Sequence, residues 1–158
     1  MSKESIDAVT AYLDGQGVEY ELVEHEERFT AAEEARASGV ELDDAAKDLI
    51  LRDGDSYLLA VIPASRRLDL GKARDVFETG ASLRLATEEE IRRDFELFEV
   101  GAVPPFGPLH GIPQAVDRML LEHERVLCSA GDHGHGVLVE PKQLVRATES
   151  RIGDLCEA

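Results

Sequence analysis

Lys47 opens an otherwise apolar run, Lys47-Asp48-Leu49-Ile50-Leu51-Arg52, in a chain that contains only four lysines. An ammonium at the mouth of a strand can hold a phosphate as a point charge, although a solvated surface lysine is the plainer alternative. The second feature is Gly101-Ala102-Val103-Pro104-Pro105. Glycine allows a ligand to approach the backbone closely and prolines hold the loop's shape, so such a loop can aim main-chain groups at a ligand; it can equally be an ordinary connection. The third is Asp132-His133-Gly134-His135, in which two imidazoles two residues apart share a strand face. Neither a CxxC pair nor a helical HxxxH completes a metal set, so no metal and no cofactor is expected. Cys128 falls inside a strand pattern, where a cysteine reads as a small buried hydrophobe. GxSxG, HExxH, Walker and GxGxxG signatures are all absent. No nucleophile–base pair declares itself.

The elements that must position these groups can be read from the pattern. Ile6, Val9 and Leu13 have helical spacing, ended by Gly15 and Gly17, and Val18 to Val23 mostly alternates as a half-buried strand does. Thr30 can cap a helix over 31–38, with Glu33 at the capping-box position. Asp43 or Asp44 can begin a short turn leading to Lys47. Two apolar runs, 47–52 and 57–62, flank Asp53-Gly54-Asp55-Ser56 and predict a hairpin whose strands are covered on both faces. Asp69 caps a helix to about Glu78, Ser82 to Leu85 reads as a strand, and Thr87-Glu88-Glu89-Glu90 opens another helix. After the proline loop come a short helix near 117–122, strands near 125–129 and 136–140, and a helix over 141–148. Strands and helices mix without strict alternation, which favours an α+β fold in one domain, 1–158.

At 158 residues and 17.3 kDa the chain is long enough to bury a substantial core. Its longest apolar stretch, Leu58 to Ala64, is too short to cross a bilayer, and MSKESIDAVT carries no secretion signal. A cytoplasmic protein with no membrane partner is expected. The formal net charge is -16, and the cations are 13 Arg against 4 Lys. That composition resembles proteins of salt-loving cells; an acidic, well-solvated surface is the alternative. Residues 1–51 hold 14 acids and 4 bases, whereas residues 66–93 hold 6 acids and 7 bases. The middle third is thus the best place for a phosphate contact, though many of its arginines are expected to pair with neighbouring acids.

Taken in order, several segments resemble the YbaK/ProX family of aminoacyl-tRNA deacylases: His25…Thr30-Ala31-Ala32-Glu33-Glu34-Ala35, Ala46-Lys47-Asp48-Leu49-Ile50-Leu51-Arg52-Asp53, and Tyr57 through Leu70. Gly101-Ala102-Val103-Pro104-Pro105-Phe106-Gly107 fits that family's GxxxP loop, and Ser129 through Val137 is similar to its glycine-rich C-terminal segment. The resemblance spans residues 18–148. It implies a mixed β-sheet curled into a barrel-like core surrounded by helices. It also implies a freestanding enzyme that hydrolyses the ester of a small amino acid such as Ala, Cys or Ser on a mischarged tRNA, tRNA(Pro) among them.

The family's functional lysine falls on Lys47 and its loop glycine on Gly101, which are the expected catalytic positions. Substrate contacts are expected at His25, Thr30, Pro105, Ser129, Gly131 and His135, the last being equally readable as a structural histidine. The implied partner is the 3′ CCA end of an aminoacyl-tRNA, with an aminoacyl-tRNA synthetase as a second candidate. An aminoacyl ester is already activated, so positioning water or the substrate's ribose hydroxyl and stabilising an oxyanion can suffice. Three departures stand out: Val23 where some members have tyrosine, Asp48 where Thr or Asn is common, and Gly136 where one branch carries aspartate. They bear on the amino acid removed, and they keep open a non-catalytic module that binds a nucleotide, an amino acid or a synthetase in the same pocket.

Overall fold

Asp53-Gly54-Asp55-Ser56 turns the chain between β2 (Ala46–Asp53) and β3 (Ser56–Pro63), with Gly54 at φ +60°. The two strands pair antiparallel along their whole length, from Ala46 opposite Pro63 to Asp53 opposite Ser56. Side chains alternate across this ladder. Ala46, Ile50, Leu59 and Val61 enter the main core, while Leu51, Leu58, Ala60 and Ile62 enter a second cluster on the opposite face. Both faces are covered, as the unbroken apolar runs require.

A computed structural model describes residues 2–25 and 31–158 of the protein. Before the hairpin come α1 (Ser2–Gly15), β1 (Tyr20–Glu24), α2 (Ala31–Ala37) and a 3₁₀ turn at Leu42–Asp44. After it come α3 (Leu70–Phe77), β4 (Arg84–Leu85), α4 (Glu88–Asp94), α5 (Gly107–His110), β5 (Gln114–Asp117) and a 3₁₀ turn at Arg118–Glu122. The chain then forms β6 (Val126–Ser129), β7 (His135–Val139), α6 (Pro141–Thr148) and β8 (Arg151–Gly153). The local chemistry fixes several boundaries. Val18 donates its N–H back to the Leu13 carbonyl beyond Gly17, closing α1. Asp69 caps α3 by accepting from the Lys72 N–H, and Thr87 with Glu90 forms a complete capping box on α4. The expected Thr30 cap lies outside the described residues.

The strands form two sheets, β1-β7-β6 and β4-β2-β3-β5-β8, the second mixed because β3–β5 and β5–β8 run parallel. The architecture is α+β, as expected. Among the described residues, however, neither sheet closes into a barrel. The edge of β2 pairs with β4 at Leu51 and Arg52, and among the described residues the backbone link between the two sheets is a parallel bridge between Ala45 and Leu127, while their inner faces share the main core. α1 and α6 pack into the core between the sheets through Val9, Leu13, Leu144 and Ala147. Ala35 of α2 covers the outer face of the smaller sheet, against Leu127, Val23 and Leu138. The C-terminal segment returns along the outer face of the larger sheet, where Leu68 bridges Cys156 and Arg67 accepts the Glu157 N–H.

Candidate active site

The β6–β7 hairpin is the element around which most of the expected residues gather. Val23, Gly136 and Ser129 lie directly opposite one another across β1, β7 and β6. Their strand mates Leu127 and Leu138 belong to the outer cluster under α2, as does Val23 itself, so this row looks outward. Ala45 pairs in parallel with Leu127, and two residues further along each strand stand Lys47 and Ser129. Lys47 therefore continues the row on the same side. Two of the three departures from the family pattern, Val23 and Gly136, prove to be neighbours in it.

Lys47 is half-buried on the outer face, opposite Ile62, and its Nζ donates to the Arg66 carbonyl at 2.6 Å. Burial lowers the ammonium's pKa below the ordinary lysine value; the Cys156 thiol opposes this and the Arg67 guanidinium adds to it. Asp48 points the other way, since its cross-strand partner Val61 lies in the main core and its carboxyl oxygens are buried. Strand alternation thus sets the Asp48 carboxyl on the face opposite the Lys47 ammonium.

The Gly101 loop is joined to the other end of the hairpin. Glu99 donates its N–H to the Gly131 carbonyl, Gly131 donates to Ala102, and the Glu99 carboxylate accepts the His133 N–H at 2.9 Å. Gly101 is exposed with φ +86°, a conformation open to glycine at little cost. Pro104 and Pro105 are buried, and His110 Nε2 donates to the Pro104 carbonyl at 3.2 Å. Gly131 has φ +101°, and a Cβ there would lie 2.7 Å from Ser5 Cβ and 2.8 Å from Phe98 Cδ1. Beside it opens a cleft of about 840 Å³, walled by Phe98, Val100, Gly131 and His135 among others.

The structure thus joins Gly101 to Gly131, brings His135 into the same cleft, and ties His25 to the hairpin by its N–H to the Gly134 carbonyl at 3.0 Å. Ser129 and Lys47 each stand two positions beyond the Ala45–Leu127 bridge on the outer face; among the described residues the hydrogen-bond partner of the Lys47 ammonium, Arg66, is not one of those that hold the Gly101 loop. Pro105 is buried behind the loop rather than displayed on it. Thr30 lies outside the described residues. Sequence reasoning missed Asp132 and Glu99 as organisers of the turn. The spacing Asp-x-Gly at 132–134, which allows an Asx turn onto the Gly134 N–H, was the available signal. Among the described residues no group of three or more His, Cys, Asp or Glu could hold a metal ion.

Comparison with known proteins places this geometry among others. Residues 25–147 match the aminoacyl-tRNA editing domain. The chain is 26% identical over 156 residues to the prolyl-tRNA editing protein ProX of Acetoanaerobium sticklandii, covering 95% of this chain and 94% of that one. It is 33% identical over 95 residues to the proline–tRNA ligase of Thermosipho melanesiensis, a stretch that covers 60% of this chain but 16% of the ligase. A crystal structure assigned as a trans-editing enzyme for prolyl tRNA synthetase superposes with a TM-score of 0.83 at 32% identity, over 98% of each chain.

Proposed function

The chain belongs to the aminoacyl-tRNA editing domain family, and on that premise we propose that it is a trans-editing deacylase that hydrolyses the ester of a small amino acid on a mischarged tRNA, tRNA(Pro) included. The aligned stretch covers 94% of the ProX chain and 16% of the ligase. The observation that carries the proposal is the cross-strand row Val23–Gly136–Ser129 running toward Lys47. Among the described residues the row offers a cation at one end, a hydroxyl next to it, and beyond that Gly136 and Val23, which add no polar side chain. In this reading the Lys47 ammonium holds the phosphate of the terminal adenosine, and Ser129 contacts the aminoacyl ester. Val23 and Gly136 receive a small side chain such as that of Ala, Cys or Ser. The Gly101 loop, pinned to Gly131, supplies rigid main-chain groups to the reacting ester.

The test is release of free amino acid from a panel of aminoacyl-tRNAs. Turnover on Ala-, Cys- or Ser-tRNA(Pro), with correctly charged Pro-tRNA(Pro) left intact, is the expected pattern. Lys47→Ala should lower kcat/KM by about 10- to 100-fold, the loss expected of one charge-assisted hydrogen bond. Deacylation undiminished in that variant would remove lysine's role, and stoichiometric binding without release would point to a binding module.

A further inference from the structure

Cations of the middle third are commonly matched by acids, Arg84 by Glu90 and Arg93 by Asp94 among them. Arg66 and Arg67 differ. Both are exposed in the turn that follows β3, and among the described residues no carboxylate forms an ion pair with either of them or with Lys47. The three belong to one neighbourhood: the Arg66 carbonyl accepts the Lys47 Nζ at 2.6 Å, and the Arg67 guanidinium acts on the Lys47 ammonium. Like charges gathered without a counter-charge repel one another, and a bound anion relieves that repulsion. The turn that carries the arginines is held firmly. Arg66 donates its N–H to the Pro63 carbonyl at 3.0 Å, Arg67 accepts the Glu157 N–H at 2.9 Å, and Ser65 Oγ donates to the Asp43 carboxylate. Its place in the sheet gives it a direction. One edge of β2 faces β6 at Ala45 and the other faces β3, where Ile62 stands opposite Lys47. The order across the outer face is therefore Val23, Gly136, Ser129, Lys47, and then the turn with Arg66 and Arg67.

We propose that Arg66 and Arg67 form a second phosphate grip, which takes the phosphate on the 5′ side of the penultimate nucleotide while Lys47 holds that of the terminal adenosine. The proposal rests on the deacylation reading given above, which supplies the identity of the nucleic acid. An aminoacylated strand followed back from its 3′ end presents an amino acid, an ester, the phosphate of the last nucleotide and then the next phosphate. That succession matches the order of groups across the outer face, so the strand leaves the site over the turn after β3. A guanidinium suits the second position, because its planar fork can donate two hydrogen bonds to one phosphate. The backbone beneath the arginines is already fixed, so binding has only their side chains to order. Such a grip positions the strand and reads no base.

Two measurements on the full chain decide the matter. The dinucleotide CpA carries only the phosphate assigned to Lys47, and the trinucleotide CpCpA adds the one assigned to the arginines. In NMR titrations the wild type should bind CpCpA about fivefold more tightly than CpA, the size expected of exposed charge contacts. The double variant Arg66→Gln, Arg67→Gln should bind the two alike. Lys142→Gln with Arg146→Gln, which removes the same charge from the exposed face of α6, should keep the wild-type ratio. Against the deacylation panel, the arginine double variant should raise KM by about fivefold with kcat within about twofold. It should also flatten the salt dependence of kcat/KM by about 0.7 in log–log slope, the share of one single-strand phosphate. A wild type that does not distinguish CpCpA from CpA overturns the grip, as does an arginine double variant that keeps the wild-type ratio. Turnover on the panel alongside either result leaves the deacylase reading standing. An arginine-dependent ratio in a protein that releases no amino acid supports the grip and overturns the deacylase reading.

Discussion

Gly131 shows how one residue type is demanded by two independent constraints. Its φ of +101° is strained for any L side chain, and a Cβ would meet Ser5 of α1 and Phe98 within 2.8 Å. The same residue accepts from Glu99 and donates to Ala102, so it welds the β6–β7 turn to the Gly101 loop. Gly131→Ala should therefore cost about 3 kcal/mol, combining backbone strain with overpacking, and should reduce deacylation more than the lost stability alone explains. Urea unfolding of the purified variant reads the first effect. A loss below about 1 kcal/mol would mean that the turn relaxes around the new methyl group. Cys156 offers a contrasting case: burial, then the Asp117 carboxyl, pushes its thiol up to about 12. It stands close enough to Lys47 to affect the ammonium and is itself chemically quiet.

At the level of elements, the sequence is most readable where the determinants are local. The β2–β3 hairpin, the α4 capping box and α6 from Pro141 to Thr148 all form where turn chemistry and periodicity put them. β5 was not legible, nor was β8. β5 is fully buried yet carries Gln114 and Asp117, whose polar groups are satisfied from afar: Gln114 accepts from the Gly107 N–H, and Asp117 accepts from the Leu155 N–H. Nothing within a short window announces such partners, and parallel pairing leaves no turn signal between strands. The site divides in the same way. Lys47 and the Gly101 loop could be picked out by type, but the outward row of Val23, Gly136 and Ser129 depends on register between three strands. His110 is another long-range part. Its ring packs edge-on against Phe95 and Phe98, with centroids 5.4 and 5.1 Å away, and anchors the Pro104 carbonyl. Burial lowers its pKa below the ordinary value of 6.5, with the Pro104 bond opposing. A histidine held neutral in this way contributes stability above its unfolded pKa and loses it as the pH falls through the lowered folded value. His110→Phe should thus cost about 1–2 kcal/mol near pH 7 through the abandoned carbonyl, and the gap from wild type should narrow at lower pH. Paired urea titrations at the two pH values check this; a gap that widens on acidification would contradict it.

Across the whole molecule, a net charge of -16 must coexist with a polyanionic substrate. Many cations of the middle third are already engaged: Arg84 with Glu90 at 2.9 Å, Arg92 with Glu88 at 3.2 Å, Arg93 with Asp94 at 2.8 Å and Lys72 with Asp154 at 2.9 Å. Arg66 and Arg67 are exposed beside Lys47, so positive charge is concentrated at the end of the outward row rather than spread over a broad face. In the proposed reading, recognition is confined to the last nucleotides and few counterions are released on binding. The logarithm of affinity should fall with the logarithm of salt at a slope of about -1 to -2, as expected for two or three phosphates of a single strand. Stability should move the opposite way. Screening shrinks from about 10 Å at 0.1 M salt to about 3 Å at 1 M, relieving repulsion among the surface carboxylates. Thermal melts across that range should rise by roughly 5 °C, equivalent to about 1–2 kcal/mol for a domain of this size. A binding slope indicating about six or more released counterions, measured by titration with a non-hydrolysable aminoacyl-tRNA, would place the tRNA on a much wider surface than the end of this row.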